Sequence, residues 1–270
     1  MIDYSIFFIY DDGIKLEVGE LLTTERHQFI ISLLKKQGTI KLQELVDLLH
    51  ASESTIRRDL VQLEEMKALK RVHGGAALLQ RKGLEPSTME KQNKAIVEKQ
   101  SIAKLGSSFV EKNDCIYLDA GTTISEMIPY LKDKNVTVLT NGLMHIPKLI
   151  ELEIKTVLVG GTIKFSTNAV VGSTAVQFLN EYRFDKCFLG MNGIHQEMGF
   201  TTPDPEEALM KKIALRLSNE SYVLADSSKL NEATFAKVAD VSDAIILTDR
   251  NNEDAIAQFK KNPKIKVVTI

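Results

Sequence analysis

From residue 115 onward the chain repeats one pattern: a short apolar run, a few small or polar residues, then a helix-like stretch. The apolar runs are "CIYLD", "VTVLT", "TVLVG", "KCFLG", "SYVLAD", "AIILTD" and "KVVTI". Each is too short for a helix, and strands covered on both faces read as continuous apolar runs rather than as alternation. Helices are expected between them: over about 94–111, from "AGTT" to near Leu131, from "NG" through Ile150, and around 175–180 and 206–218. Such alternation folds as an α/β domain with a mainly parallel sheet.

Open α/β sheets bind ligands beyond the carboxyl ends of their strands, so the residues just past each run matter. After "CIYLD" come Ala120, Gly121, Thr122 and Thr123; after "VTVLT", Asn141 and Gly142; after "TVLVG", Gly161 and Thr162. "KCFLG" leads to Met191, Asn192 and Gly193, and "SYVLAD" to Ser227, Ser228 and Lys229. Gly121 with Thr122 and Thr123, opening a helix, offers backbone N–H groups, two hydroxyls and a positive helix end, which suit a phosphate. Lys211 and Lys229 are candidate countercharges. Singly these turns are ordinary strand-to-helix connections; together they outline a polar, phosphate-tolerant rim. An isomerase or deaminase there would need a positioned acid or base. Asp119, Asp185, Asp204, Glu206, Asp226, His145 and His195 are candidates, yet acids at strand ends are common in such folds for structural reasons.

The formal net charge is only −2, but residues 23–82 hold eleven Lys and Arg against seven Asp and Glu. A basic module is attached to an acidic body. In that module "LLTTERHQFIISLLKKQG" reads as a helix with Thr24 as N-cap, Glu25 in the first turn and Gly38 as stop; Ile30, Leu33 and Leu34 share a face. Leu42, Leu45, Val46 and Leu49 mark a second helix. The third runs through "ASESTIRRDL" and past Leu63, with Ser52 as N-cap and Ile56, Leu60 and Leu63 inward, leaving Ser54, Thr55, Arg57, Arg58 and Gln62 outward. "LKRVHGGAAL" then reads as a strand, a tight turn at Gly74 and Gly75, and a possible return strand. The outline is a winged helix-turn-helix: the third helix enters the major groove of double-stranded DNA, with Arg57 and Arg58 on phosphates or guanine edges. Arg71 and His73 on the wing touch the backbone or minor groove, and Asp59 orients a neighbouring arginine. A DNA-reading module fused to a small-molecule pocket is explained most economically as a sensor, although the same parts would serve a repressor or an activator.

The remaining segments fix the domain plan. Residues 1–20 fit badly with the rest of the chain and are expected to be an unstructured extension of the gene model; 21–78 are the winged helix-turn-helix, 79–93 a polar linker and 94–270 the effector domain. Cys115 and Cys187 sit in apolar runs and read as small buried hydrophobes, so no metal, disulfide or cofactor is expected. No apolar run approaches the roughly 20 residues of a membrane helix, and the expected location is the cytoplasm.

"ERHQFI", "ASESTIRRDL" and "LKRVHGGAA" resemble the DNA-binding half of DeoR-type bacterial transcriptional regulators, and "LDAGTT", "LTNG", "FDKCFLGMNGI", "GFTTPDPEEALMKK" and "VLADSSK" resemble their sensor half. Within that family the motifs are most similar to fructose-operon repressors. The resemblance implies a sensor fold like that of ribose 5-phosphate isomerase, binding a phosphorylated sugar such as fructose 1-phosphate without turnover. It implies effector contacts from Asp119, Gly121, Thr122, Thr123, Asn141, Gly160, Gly161, Lys211 and Lys229, and DNA contacts from Ser54, Thr55, Arg57 and Arg58. It also implies a homo-oligomer, dimer or tetramer, on a repeated operator.

Overall fold

A computed structural model describes residues 22–72, 74–78, 87–263 and 265–270, with Lys35 and Lys36 described for backbone only. The expected extension at 1–20, His73 and the first part of the expected linker lie outside these residues. The chain separates into two compact units, divided between residues 81 and 82.

The first unit is built as its periodicity requires. Helices α1 (Thr23–Gln37), α2 (Leu42–Leu49) and α3 (Glu53–Glu65) bury Ile30, Leu34, Leu45, Ile56 and Leu60 in one core. Helix α1 begins earlier than its spacing indicates: Leu22, not Thr24, is the N-cap, and the Glu25 carboxylate accepts the Leu22 N–H at 2.9 Å. A three-residue strand that periodicity does not announce, β1 (Thr39–Lys41), joins β2 (Leu69–Val72) and β3 (Gly75–Leu78) in an antiparallel sheet of order β1-β3-β2. Both wing glycines are required. Gly74 has φ +78°, and a side chain at Gly75 would lie 2.1 Å from the Ile40 carbonyl oxygen across the β1–β3 register.

The second unit centres on a seven-stranded parallel sheet of order β15-β14-β12-β9-β4-β5-β6: β4 (Cys115–Leu118), β5 (Thr137–Thr140), β6 (Lys155–Leu158), β9 (Phe184–Gly190), β12 (Ser218–Leu224), β14 (Ile245–Thr248) and β15 (Val267–Thr269). Helices cover both faces. Ile116 and Leu118 of β4 pack with Ile102 and Ala103 of α5 (Ile96–Ser108) and Leu149 of α7 (Ile146–Glu151). Tyr117 points the other way, into a core with Ala175 and Leu179 of α8 (Ser173–Asn180), Met210 and Ala214 of α9 (Pro205–Arg216) and Phe259 of α10 (Glu253–Lys260). Alternation along β4 therefore turns Asp119, just past its end, toward α9.

Four expectations are corrected. Residues 88–92, expected as linker, form helix α4 (Thr88–Gln92), because the Ser87 hydroxyl and Glu90 carboxylate close a capping box. The helix expected to run to Leu131 stops after one turn as α6 (Thr122–Ser125), and a 3₁₀ stretch, Ile128–Lys134 with a proline near its start, continues it. Two small antiparallel groups escaped the periodicity: the hairpin β7 (Thr162–Lys164) and β8 (Ala169–Val171), and a sheet of β10 (Gly193–His195), β11 (Gly199–Thr202) and β13 (Ala236–Ala239). Cys115 is exposed at the start of β4, before the sheet is covered, while Cys187 is buried as expected.

Candidate functional sites

In the first unit the outward face of α3 forms as the spacing predicts. The Ser52 hydroxyl accepts the Thr55 N–H at 3.2 Å and lies 2.9 Å from the Ser54 hydroxyl. Ser54, Arg57 and Arg58 are exposed and Thr55 half-buried. Arg57 donates its Nε–H to Glu53 at 2.8 Å, one turn back. On the wing Arg71 is exposed, its N–H bonded to Glu64 at 2.8 Å. Asp59 does not serve the arginines beside it in the sequence. It is buried and takes both Arg26 Nε (2.7 Å) and Arg26 Nη2 (3.0 Å), bolting α1 to α3. That bond raises the Arg26 pKa further, against a desolvation cost. Arg26 was invisible as a partner because it lies 33 residues away.

In the second unit the rim of β4 and β9 holds a buried charge pair. The Lys211 ammonium of α9 donates to Asp119 Oδ2, which also accepts the Gly190 N–H at 3.1 Å. Both side chains are nearly inaccessible, 6% and 3% exposed, so neither charge is stabilised by water. Around them, Gly121 caps α6 and donates its N–H to the Asp119 carbonyl at 2.7 Å, with Thr122 and Thr123 in the first turn. A single turn carries little of the dipole of a full helix, so those N–H groups act as local donors.

A second carboxylate, Glu207, joins this cluster from one turn back on α9. It accepts Lys164 Nζ at 2.9 Å and the Thr167 hydroxyl at 2.6 Å, both from the β7–β8 hairpin. Burial pushes the Glu207 pKa up, but Lys211, Thr167 and Lys164 outweigh burial and hold it below the ordinary carboxylate value. Glu207 was missed, although its spacing from Lys211 is the i, i+4 of helix neighbours. Lys164 and Thr167 carried no signal, because only the undetected hairpin brings them there.

The remaining expected positions lie in the loops that follow β5, β6 and β12. Buried Asn141 accepts the Ala120 N–H at 3.2 Å and donates to the Val170 carbonyl at 3.1 Å, tying β5, the β4 loop and β8 together. Gly160 is exposed at the turn into the hairpin, and a side chain on Gly161 would meet the Val171 carbonyl oxygen at 2.8 Å. Lys229 is half-buried in the 3₁₀ turn Ser227–Lys229, where its charge bears on Lys99 alongside that of Asp226.

His145 is buried, its Nδ1 3.1 Å from the Thr140 hydroxyl and its Nε2 3.4 Å from the Gly121 carbonyl oxygen, and burial lowers its pKa to about 4. A base so weak is far from the near-neutral value general acid–base catalysis uses. Among the described residues no group of three His, Cys, Asp or Glu is placed to hold a metal, and no helix is long and apolar enough to cross a membrane.

Comparison with known proteins accords with this arrangement. A DeoR-like helix-turn-helix domain model matches residues 26–82, and a DeoR C-terminal sensor domain model matches residues 94–250. The chain is 49% identical, over 92% of its length and 99% of the relative's, to an uncharacterized HTH-type transcriptional regulator, FruR, of Bacillus subtilis strain 168. It is 35% identical to a lactose phosphotransferase system repressor of Staphylococcus epidermidis, over 84% of this chain and 92% of that protein. A distant structural likeness, 21% identical with a TM-score of 0.36 over 48% of this chain and 52% of the other, is to ribose 5-phosphate isomerase A of Methanocaldococcus jannaschii. With a helix-turn-helix and a sensor domain each matched over most of one unit, the chain belongs to the DeoR family of transcriptional regulators and is not an enzyme.

Proposed function

We propose that this regulator is a cytoplasmic repressor of an operon for uptake and use of a sugar, fructose in the first instance, and that a phosphorylated sugar such as fructose 1-phosphate releases it from its operator. The observation that carries the reading is the buried Lys211–Asp119 pair on the sheet rim. A lysine buried against one carboxylate with a second nearby is poised to exchange partners when a phosphate dianion arrives, and little solvent has to be displaced. In this reading Lys211 and the N–H groups and hydroxyls of Gly121, Thr122 and Thr123 take the phosphate, and Asp119 accepts a sugar hydroxyl. Asn141, Gly160 and Gly161 shape the loops, and Lys229 is an additional cation. Ser54, Thr55, Arg57, Arg58 and Arg71 read operator DNA from a homo-oligomer. Names of relatives that are a FruR regulator and a lactose phosphotransferase repressor support the sugar-uptake setting.

Titration calorimetry with fructose 1-phosphate, fructose 6-phosphate and fructose 1,6-bisphosphate tests it. Binding of fructose 1-phosphate at least about tenfold tighter than the others, lost in Lys211→Met, is expected. Binding unaffected by that substitution removes Lys211 from the site, and no binding of any of the three removes the fructose assignment.

A further inference from the structure

Helix α4 is the first described element of the sensor unit, coming in sequence after the segment that leads from the DNA-binding unit. Five residues are too few to be helical on their own. Of its side chains only Thr88 is buried, and Met89 is 74% exposed, so no apolar core holds the helix down. Polar bonds do. The Thr88 N–H donates to the Ser166 carbonyl at 2.9 Å, in the turn of the β7–β8 hairpin, and the ammonium of buried Lys99 donates to the Lys91 carbonyl. Helix α4 also packs against α6, the turn that opens at Gly121.

The hairpin anchor leads back to the charge cluster. Ser166 lies between Lys164 and Thr167, the two residues bonded to Glu207; Lys164 also pairs with Asp204 at 3.0 Å. Burial lowers the Lys99 pKa, and the charges of Asp226 and Lys229 act on it in opposite directions. We propose that α4 is the element through which the sensor reports its ligand: an anion that draws Lys211 from Asp119 and Lys164 from Glu207 shifts the hairpin, breaks the Thr88–Ser166 bond and frees α4. The inference rests on the sugar-phosphate reading above. It makes Thr167 and Lys99 positioning residues, acting through Glu207 and Lys91. A five-residue element with one buried side chain, bonded to the hairpin of the charge cluster, belongs to the low-stability end of a structure, where switching elements are found.

Hydrogen exchange by mass spectrometry on the full chain, with and without saturating fructose 1-phosphate, tests this, with thermal shift run in parallel to register binding. The expected result is exchange over residues 88–92 at least about threefold faster with ligand. Thr167→Val and Lys99→Met should show the fast exchange without ligand, and ligand should then change their operator affinity by less than about threefold. A thermal shift with exchange in α4 unchanged or slowed overturns the role of α4 and leaves the sensor reading standing. No thermal shift with any of the three fructose phosphates overturns both. The wild-type arm decides the matter if either variant fails to fold.

Discussion

Two buried groups show how single residues set the behaviour of each unit. Asp59 is 2% exposed and takes two bonds from Arg26, so Asp59→Ala removes the buried carboxylate that joins α1 to α3. Breaking one side of such a pair costs about 3–5 kcal/mol, and calorimetry should show the first unfolding transition lowered accordingly. An unshifted transition would mean that Arg26 finds water instead. His145 makes the opposite case. Its pKa falls from 6.5 to about 4 in the folded chain, so between those values the unfolded state binds the extra proton and stability rises with pH. As pH drops from about 6.5 to about 4, this one group removes up to about 3 kcal/mol. His145→Gln should flatten the stability curve over that window in chemical denaturation; an identical curve would place the titration elsewhere. Neither group could be weighted from sequence. Asp59 looked like a partner for its own helix, and His145 like one of several available bases, because the partners of both are set by tertiary contact.

Among the elements, those with a strong period or a cap were legible and those made by long-range pairing were not. The helices α1 to α3 and the strands of the parallel sheet follow from apolar spacing, and Ser52 is the N-cap the sequence indicates. Strand β1 is three residues between helices and exists only because the wing pairs with it. The β7–β8 hairpin likewise has exposed residues at Thr162 and Ile163, and its apolar run, Ala169–Val171, is only three residues long. It supplies Lys164 and Thr167, so the partners of Glu207 were hidden with it. Two substitutions on α3 separate folding from recognition. Ser52→Ala should cost about 1 kcal/mol of stability through the lost cap. Arg57→Ala should leave stability nearly unchanged, since an exposed pair with Glu53 contributes about 1 kcal/mol or less. It should nevertheless weaken operator binding by about 1–3 kcal/mol. Equal operator affinity for Arg57→Ala and wild type would remove this arginine from the reading surface.

For the molecule as a whole, charge separates the units as clearly as fold does. The excess of four positive charges over residues 23–82 sits in a chain whose total is −2, so the sensor unit and the remaining residues are acidic. Operator affinity should therefore fall steeply with salt, in proportion to the phosphates contacted. The division into a DNA reader and an α/β sensor was legible because three amphipathic helices lead the first part of the chain, whereas apolar strand runs alternate with helices in the second. Helix α4, inside the expected linker, was not legible, since it depends on a capping box and two bonds to distant residues. One titration joins both units: fluorescence anisotropy of labelled DNA from upstream of the protein's own operon, with fructose 1-phosphate, fructose 6-phosphate and fructose 1,6-bisphosphate added in turn. A ligand-released repressor binds tightly in their absence and lets go with fructose 1-phosphate, losing roughly 5- to 150-fold in affinity. Tight binding that none of the three disturbs would contradict release by a fructose phosphate.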